Sequence, residues 1–282
     1  MAPELGFTCL DFSVTFNPRI ARAMLITLTT DFGLKDPFVG IMKGVIARIN
    51  PHATVVDLTH GIPPQDVFAA AMVVRHAVGY FPPGSIHVAV VDPGVGSARR
   101  PLLLESNEAY FIGPDNGVLS LLWEERQPKR IIHLSNPMYY RQPISATFHG
   151  RDVFAPIAAY LSLGVAPVAF GESVDQFVRI RWPDVICSGR SVTGEIVYID
   201  EFGNLFSNIR EQDLSGLDRK QISTVVGGFT IHGLAPNYGT VEKGRPVVLI
   251  NSWGLLEVAA NEENAARLFH VRIGEKVYVS VT

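Results

Sequence analysis

The segment that decides the fold reads Val90-Val91-Asp92-Pro93-Gly94-Val95-Gly96-Ser97-Ala98-Arg99-Arg100. It carries an apolar, strand-like run into a carboxylate, a glycine-rich turn and two guanidinium groups. Three further apolar runs end alike: Met24 to Thr30 leads into Asp31, Thr54 to Val56 into Asp57, and Tyr110 to Gly113 into Asp115. One such aspartate usually orders a turn. Four at equivalent strand ends favour a ligand site.

Helical patterns separate the first three of these strands. Apolar residues recur at helical spacing from Phe38 to Ile49, with Asp36 as the predicted N-cap and Pro37 at the first helical position. The next helix is predicted to open at Asp66. Strand and helix in alternation predict right-handed crossovers and a mostly parallel sheet flanked by helices, with ligands bound beyond the carboxyl ends of the strands.

The chain divides into three predicted parts. Residues 1–23 have no clear period and are interpreted as an N-terminal appendage, while 24–185 form the α/β domain, with a helix over 151–164. Residues 190–282 predict a smaller all-β barrel or sandwich, because short β-rich runs follow one another at turn-like intervals. These runs are Gly194 to Ile199, Asn204 to Ile209, Ser223 to Ile231, Pro246 to Ile250, Leu255 to Ala259 and Lys276 to Val281.

The composition of the chain excludes some classes of binding partner. The 24 basic and 27 acidic residues give a net charge of -3, so there is no electrostatic footprint for nucleic acid or an anionic membrane. Apolar runs are shorter than the ~20 residues of a membrane-spanning helix. The two cysteines provide no disulfide framework, which makes a reducing cytoplasm the expected location. A small-molecule ligand is expected.

Two common site motifs are not supported. Gly94-Val95-Gly96 begins like a dinucleotide fingerprint, but Arg99 stands at the third glycine and a strand-like run follows where a helix should open. The histidines form no pair at zinc-ligand spacing, which leaves only a metal held by the strand-end aspartates as an open alternative. We expect neither a metal nor a cofactor.

Six motifs in order resemble the S-adenosyl-L-methionine (SAM) hydroxide adenosyltransferase family, which is related to the SAM-dependent fluorinase and chlorinase. They are Thr29-Thr30-Asp31-Phe32-Gly33, Val91 to Ser97, Gly113 to Gly117, Thr147-Phe148-His149-Gly150-Arg151-Asp152, Phe202-Gly203-Asn204 and Asn251-Ser252. The resemblance runs from about Met24 to the C-terminus. It implies a homotrimer that binds SAM between the N-terminal domain of one subunit and the C-terminal domain of its neighbour.

The resemblance also implies a reaction. Water or hydroxide attacks C5′ of SAM and gives adenosine and L-methionine, with Asp92, Arg99 and His149 as the catalytic residues. The halogenases resemble this chain but carry a tyrosine at the position of Asp92. SAM is the substrate, so no cofactor is implied.

The residue chemistry agrees with this reaction. A sulfonium is already a good leaving group, so the enzyme has only to align a water and take up its proton. Asp92 and His149 suit a water, and Arg99 can stabilise hydroxide-like charge, although an adjacent arginine also weakens a carboxylate as a base. We assign Asp92 to positioning the water and leave the proton acceptor open between Asp92 and His149.

The substrate residues follow from the resemblance alone. It implies that Asp31 binds the ribose hydroxyls, that Asp36 and Asp200 lie near the methionine amine, and that Ser252 contacts its carboxylate. Phe202 stacks on adenine and Asn204 bonds its edge. Trp253 stands where the halogenases have an arginine, which leaves carboxylate recognition open.

Two alternatives stay open. A SAM-dependent halogenase would share fold and substrate, although the Asp92 carboxylate would repel a halide. A non-catalytic SAM or adenosine-binding protein would need Asp31 and Asn204 but not the three catalytic residues.

Overall fold

The computed structural model describes residues 25–124 and 127–281. They divide into two compact units, one ending at Ile180 and the other beginning at Arg181. The predicted appendage, residues 1–23, lies outside the described residues, and the domain limits 24–185 and 190–282 stay predictions. In the described part of the chain no helix is long and apolar enough to cross a membrane.

The first unit is built on a seven-stranded sheet. Its strands are β1 (Leu25–Thr30), β2 (Thr54–Thr59), β3 (Ser85–Val90), β4 (Pro101–Glu105), β5 (Ala109–Pro114), β6 (Arg130–Leu134) and β7 (Gly171–Ser173). Their order in the sheet is β2-β1-β3-β5-β4-β6-β7.

The sheet is mixed, so the prediction of a mostly parallel sheet is wrong. Strands β2, β1, β3 and β5 run parallel, but β4, β6 and β7 pair antiparallel. The cause is local: only three residues separate β4 from β5, and a parallel pair needs a crossover of about a dozen or more. The four parallel strands still bring Asp31, Asp92 and Asp115 to one edge, whereas Asp57 lies inside β2.

Helices cover the sheet. They are α1 (Phe38–Ile49), α2 (Val67–Ala77) and α3 (Ala155–Ser162). Met42 and Ile46 of α1 and Ile157 of α3 are fully buried against β1 and β3, and α2 packs against the same strands outside that core. Asp66 caps α2 as predicted, its carboxylate accepting from Ala69 N at 2.9 Å. The N-cap of α1 is Pro37 and not Asp36, which is exposed.

The helix predicted over 151–164 begins differently. Gly150–Phe154 forms a π-helical turn, and α3 follows it directly. π-helical turns are rare in proteins, but those that occur are often found at functional sites. This one comes immediately after His149.

The second unit is an eight-stranded antiparallel sheet. Its strands are β8 (Ile186–Ser188), β9 (Ser191–Ile199), β10 (Leu205–Arg210), β11 (Ile222–Val226), β12 (Phe229–His232), β13 (Pro246–Ile250), β14 (Leu255–Ala260) and β15 (Lys276–Val281), and a short helix α4 (Ala265–Leu268) follows β14. The order is β12-β11-β15-β9-β10-β14-β13, with β8 on β9. The end strands β12 and β13 lie in contact, so the sheet curls nearly into a barrel.

One predicted strand of this unit is wrong. The run Ser223 to Ile231 is a hairpin, because Gly227 and Gly228 take positive φ values of 56° and 79° and turn the chain back on itself. Two glycines with positive φ are typical of a two-residue hairpin loop.

Candidate active site

The turn after β3 returns Arg99 to Asp92. It is closed by Val95 N donating to Asp92 O at 3.2 Å and by Ser97 N donating to Gly94 O at 3.1 Å. Gly96 has a φ of +76°, and a Cβ there would overlap the carbonyl oxygen of Ala146. Glycine at this position therefore lets the turn pack closely against the segment that leads to His149.

Arg99 holds Asp92 with two parallel hydrogen bonds. Nε donates to Oδ1 at 2.9 Å, and Nη2 donates to Oδ2. The two side chains are only 9% and 5% exposed. This bidentate, desolvated arrangement fixes the direction of both groups.

The same guanidinium reaches His149. Arg99 Nη2 lies 2.7 Å from His149 Nδ1. Arginine has donors only, so Nδ1 must be the acceptor and the ring proton lies on Nε2. Burial and the charge of Arg99 lower the pKa of His149 from 6.5, with Asp92 and Asp152 opposing them. His149 is therefore neutral at neutral pH, with Nε2–H as its remaining donor.

Arg99 keeps one unused donor. Its Nη1 is buried and makes no hydrogen bond to any described residue. The guanidinium carbon lies 5.5 Å from the centre of the Phe154 ring, which closes one side of the group. A buried donor without a partner is costly unless a ligand or water completes it.

A second network fixes the segment that carries His149. The fully buried Asp152 accepts from Arg151 Nε and Nη2 at 2.7 Å each, from Arg141 Nη1 at 3.1 Å and from Ser145 N at 2.9 Å. Burial acts to raise the pKa of Asp152, but these donors and charges lower it. Arg141 and Ser145 were not predicted from the sequence.

Asp31 follows β1 at the same edge of the sheet as Asp92, and Asp36 lies further along the chain, just before α1. Asp31 Oδ2 accepts from Gln65 N at 2.8 Å, and Gln65 has a φ of 66°. A left-handed conformation at a residue other than glycine stores backbone strain, which clusters at functional sites. Asp36 is exposed at the start of α1.

The second unit contains a cleft of about 920 Å³ that gathers the other predicted residues, Asp200, Phe202, Asn204 and Ser252. Asp200 Oδ2 accepts from Asn204 Nδ2 at 2.9 Å, and Asp200 Oδ1 accepts from Asn204 N at 2.8 Å. Phe202 is 78% exposed, which leaves a ring face available.

Trp253 belongs to an aromatic cluster. Its ring meets Phe206 edge-on at 5.1 Å and Tyr198 at 5.3 Å between centroids. Its backbone N donates to Asn251 Oδ1 at 2.9 Å. The indole therefore does not supply the charge that an arginine would bring to this position.

Three polar groups of the cleft were not assigned from the sequence: Tyr238, Glu257 and the amide of Asn251. Tyr238 Oη donates to Glu257 Oε1 at 2.8 Å. Burial raises the pKa of Glu257, and the charge of Asp200 adds to it, while Tyr238 and Asn251 oppose the shift. The signal in the sequence is a lone charge within the apolar run Leu255 to Ala260.

The structure thus brings Asp92, Arg99 and His149 together, and it gathers Asp200, Phe202, Asn204 and Ser252 in one cleft. Among residues 25–124 and 127–281, no three histidine, cysteine or acidic side chains cluster so as to hold a metal ion. The catalytic and binding roles of all these residues stay predictions.

Comparisons with known proteins match both units. Residues 26–171 match the SAM hydroxide adenosyltransferase N-terminal domain and residues 194–278 its C-terminal domain. An (R)-S-adenosyl-L-methionine hydrolase of Thermus thermophilus is 38% identical over 255 residues, 88% of this chain and 96% of that protein. A crystal structure of an uncharacterized conserved protein from Thermotoga maritima aligns with a TM-score of 0.85 and 34% identity, over 91% of this chain and 100% of that one. A fluorinase of Actinoplanes is more distant, 28% identical over 91% of this chain and 97% of its own.

Proposed function

Because this chain belongs to the SAM hydroxide adenosyltransferase family, we propose that it hydrolyses SAM to adenosine and L-methionine. The observation that carries the proposal is the cluster in which Arg99 bridges Asp92 and His149. A binding protein would need no such desolvated arrangement of carboxylate, guanidinium and neutral imidazole.

The reaction is a displacement at carbon. The oxygen of water forms a bond to C5′ while the C5′–S bond breaks. The electron pair of the C5′–S bond leaves with sulfur. Sulfur needs no proton, so no general acid is required. The protein supplies position, a donor environment for the oxygen and an acceptor for the proton.

The contacts of the cluster support the following assignment of these roles. One lone pair of the water oxygen must face C5′, so in this proposal Nε2–H of His149 or Nη1 of Arg99 donates to the other, and Asp92 is the proton acceptor, because Nδ1 of His149 already accepts from Arg99. Once oxygen is bonded to carbon, its proton is strongly acidic. The Asp92 carboxylate is then a sufficient base.

Asp92 also favours water over halide. A fixed carboxylate that is 5% exposed repels a dehydrated anion at the same place. We therefore expect chloride or fluoride to give no halogenated nucleoside.

In this proposal, residues of the first unit and residues of the second unit both bind SAM. Asp31 holds the ribose hydroxyls, Phe202 and Asn204 hold adenine, and Asp36, Asp200 and Ser252 hold the methionine end. We propose a homotrimer in which the first unit of one subunit and the second unit of its neighbour share each site, in a cytoplasmic protein. Phe202 is 78% exposed, so its ring is accessible for stacking on an adenine base.

The relatives' names specify the R form of SAM, and we propose the same preference here. The test is incubation of the purified protein with an epimeric mixture of SAM, with adenosine and methionine quantified by mass spectrometry. We expect equimolar products and consumption of one epimer. Binding without any turnover would make the protein a sensor, and 5′-halogenated nucleoside with added chloride would make it a halogenase.

A further inference from the structure

A buried histidine contacts the turn that carries Asp31. His60 follows β2, and its side chain is only 2% exposed. Its ring reaches the last residue of β1, because Nδ1 lies 2.9 Å from Thr30 Oγ1. Thr30 is fully buried and immediately precedes Asp31 in the chain. The displacement at C5′ described above uses neither His60 nor Thr30.

His60 supports the Asp31 turn at two points. Thr30 Oγ1, which contacts the His60 ring, accepts from Phe32 N at 3.2 Å. The backbone carbonyl of His60 accepts from Gly33 N at 2.9 Å. The two backbone amides that follow Asp31 are thus bonded to His60, one through Thr30 and one directly. The direction in which the turn presents the Asp31 carboxylate therefore depends on His60.

Asp57 and Lys43 hold the other side of the His60 ring. Nε2 lies 3.1 Å from Asp57 Oδ1, and Asp57 Oδ2 accepts from Lys43 Nζ at 2.6 Å. Burial acts to raise the pKa of Asp57, but Lys43 and His60 lower it below its usual value. An ionised carboxylate only accepts hydrogen bonds, so a neutral His60 ring carries its proton on Nε2 and accepts from the Thr30 hydroxyl at Nδ1. The hydroxyl oxygen then keeps its lone pairs for the backbone amide that it binds.

The strand pairing beside this network is irregular. Strands β1 and β2 are parallel, and Leu28 lies opposite Asp57. The next residue, Thr29, lies opposite Thr59, so the register skips one residue of β2. Bulges are rare in parallel sheets and are over-represented next to active sites, where they redirect a side chain. The skipped residue lies between Asp57 and His60, so the bulge sets how these two side chains meet.

We propose that His60 is a positioning residue for Asp31: it fixes the turn in the conformation that directs the Asp31 carboxylate to the ribose hydroxyls, while Asp57 and Lys43 hold its ring in place. This rests on the proposed function, because it takes the ribose of SAM as the ligand of Asp31. It gives a role to Asp57, which lies inside β2. Loss of the network frees the turn, which lowers the affinity only of ligands that have ribose hydroxyls.

The test compares adenosine with 2′,3′-dideoxyadenosine, which lacks both ribose hydroxyls. Titration calorimetry measures both nucleosides on the wild type and on Thr30→Val, Thr30→Ser and His60→Gln. Valine keeps the shape of Thr30 without the hydroxyl, serine keeps the hydroxyl, and glutamine keeps a polar group near Asp57 but none at the position of Nδ1. The matched control is Thr27→Val. Thr27 is as buried as Thr30, and its hydroxyl makes the same 2.9 Å contact with a histidine, at His87 Nδ1, three residues earlier in β1.

We expect the affinities of the two nucleosides to change separately. Thr30→Val and His60→Gln should weaken adenosine about tenfold and leave 2′,3′-dideoxyadenosine within twofold of wild type, because only adenosine has hydroxyls for Asp31 to bind. Thr30→Ser should keep the wild-type affinities, and Thr27→Val should change neither. Asp31→Ala should abolish the preference for adenosine, and adding Thr30→Val to it should have no further effect. That non-additivity would assign the effect of Thr30 to Asp31.

A merely structural role gives a different result. Thr30→Val would then lower the melting temperature as Thr27→Val does, and it would weaken both nucleosides equally or neither of them, which would overturn the proposal. If Thr30→Val does not fold, His60→Gln decides by the same comparison. Wild-type protein that hydrolyses SAM but binds the two nucleosides equally would overturn the positioning role alone. Wild-type protein that neither binds adenosine nor hydrolyses SAM would overturn the proposed function and the positioning role with it.

Discussion

Nη2 of Arg99 lies 2.7 Å from Nδ1 of His149. The contact requires a neutral imidazole, because a protonated ring would place two cations and two donors against each other. The cluster therefore contains a protonation state that pH can change. It also fixes which nitrogen of His149 is available to a water.

This relationship predicts the acid limb of the pH profile. The pKa of His149 is lowered from 6.5 by burial and by Arg99. We expect kcat to fall as the pH drops below 6.5, once His149 takes up a proton and breaks the contact. Steady-state rates of wild type and His149→Ala between pH 4 and 9 measure it, and the variant should be slower and lack this limb. His133→Ala, which removes a histidine paired with Glu172, is the control. If the kcat of His149→Ala falls at low pH as it does in wild type, a group other than His149 is responsible for the fall.

Asp92→Asn should separate chemistry from binding. The amide keeps the shape of the side chain but removes the proton acceptor, so kcat should fall by about 100-fold or more while the affinity for SAM changes little. The matched control is Asp115→Asn at the end of β5, where Asp115 pairs with Arg100 and accepts from Val178 N at 2.7 Å. That change should lower the free energy of unfolding by roughly 1–3 kcal/mol with little effect on kcat. Equal losses of binding and rate in Asp92→Asn would make Asp92 a substrate ligand.

Much of the fold could be predicted because the signals are local. The carboxylate of Asp66 caps α2 where the sequence predicts it. Strand direction was the error, although the short connection between β4 and β5 indicates an antiparallel pair. Gly227 and Gly228 likewise indicate a hairpin inside the run from Ser223 to Ile231.

The site could be predicted only in part, for a different reason. Asp92 and Arg99 lie in one turn, so their proximity follows from the chain. His149 is 50 residues away from Arg99, and only tertiary packing, here against Gly96, brings it to the pair. Glu257 gave a single charge in an apolar strand, and nothing in the sequence indicates its contact with Tyr238.

A shared site predicts complementation between inactive subunits. Asp92→Asn inactivates the site in the first unit, and Asn204→Ala weakens the cleft of the second. Co-expressed and purified as mixed oligomers, the two variants should recover a fraction of wild-type activity, because some sites then combine two unchanged halves. Analytical ultracentrifugation should give a trimer. Mixed oligomers that are as inactive as the parents would contradict a site shared between subunits.

His87 predicts a pH-dependent stability that is independent of catalysis. It is buried, stacks on Phe111 at 5.3 Å and accepts or donates to Thr27 Oγ1 at 2.9 Å, and burial lowers its pKa from 6.5 to about 4. Between these values the unfolded chain binds a proton that the folded protein does not, so stability is lost as the pH falls from 6.5 towards 4. From pH 7 to pH 5 the loss is about 2 kcal/mol. Urea unfolding at both pH values measures it, and His87→Gln should remove most of this difference. An equal difference in the variant would rule out His87 as its source.

The most direct test of the central claim, that water attacks C5′ of SAM, is hydrolysis in H₂¹⁸O with mass spectrometry of both products. The proposed displacement predicts one ¹⁸O in the 5′-hydroxyl of adenosine and none in L-methionine, because the new bond forms at carbon and sulfur leaves with its electron pair. Adenosine that remains unlabelled, or label that enters L-methionine, would contradict attack at C5′.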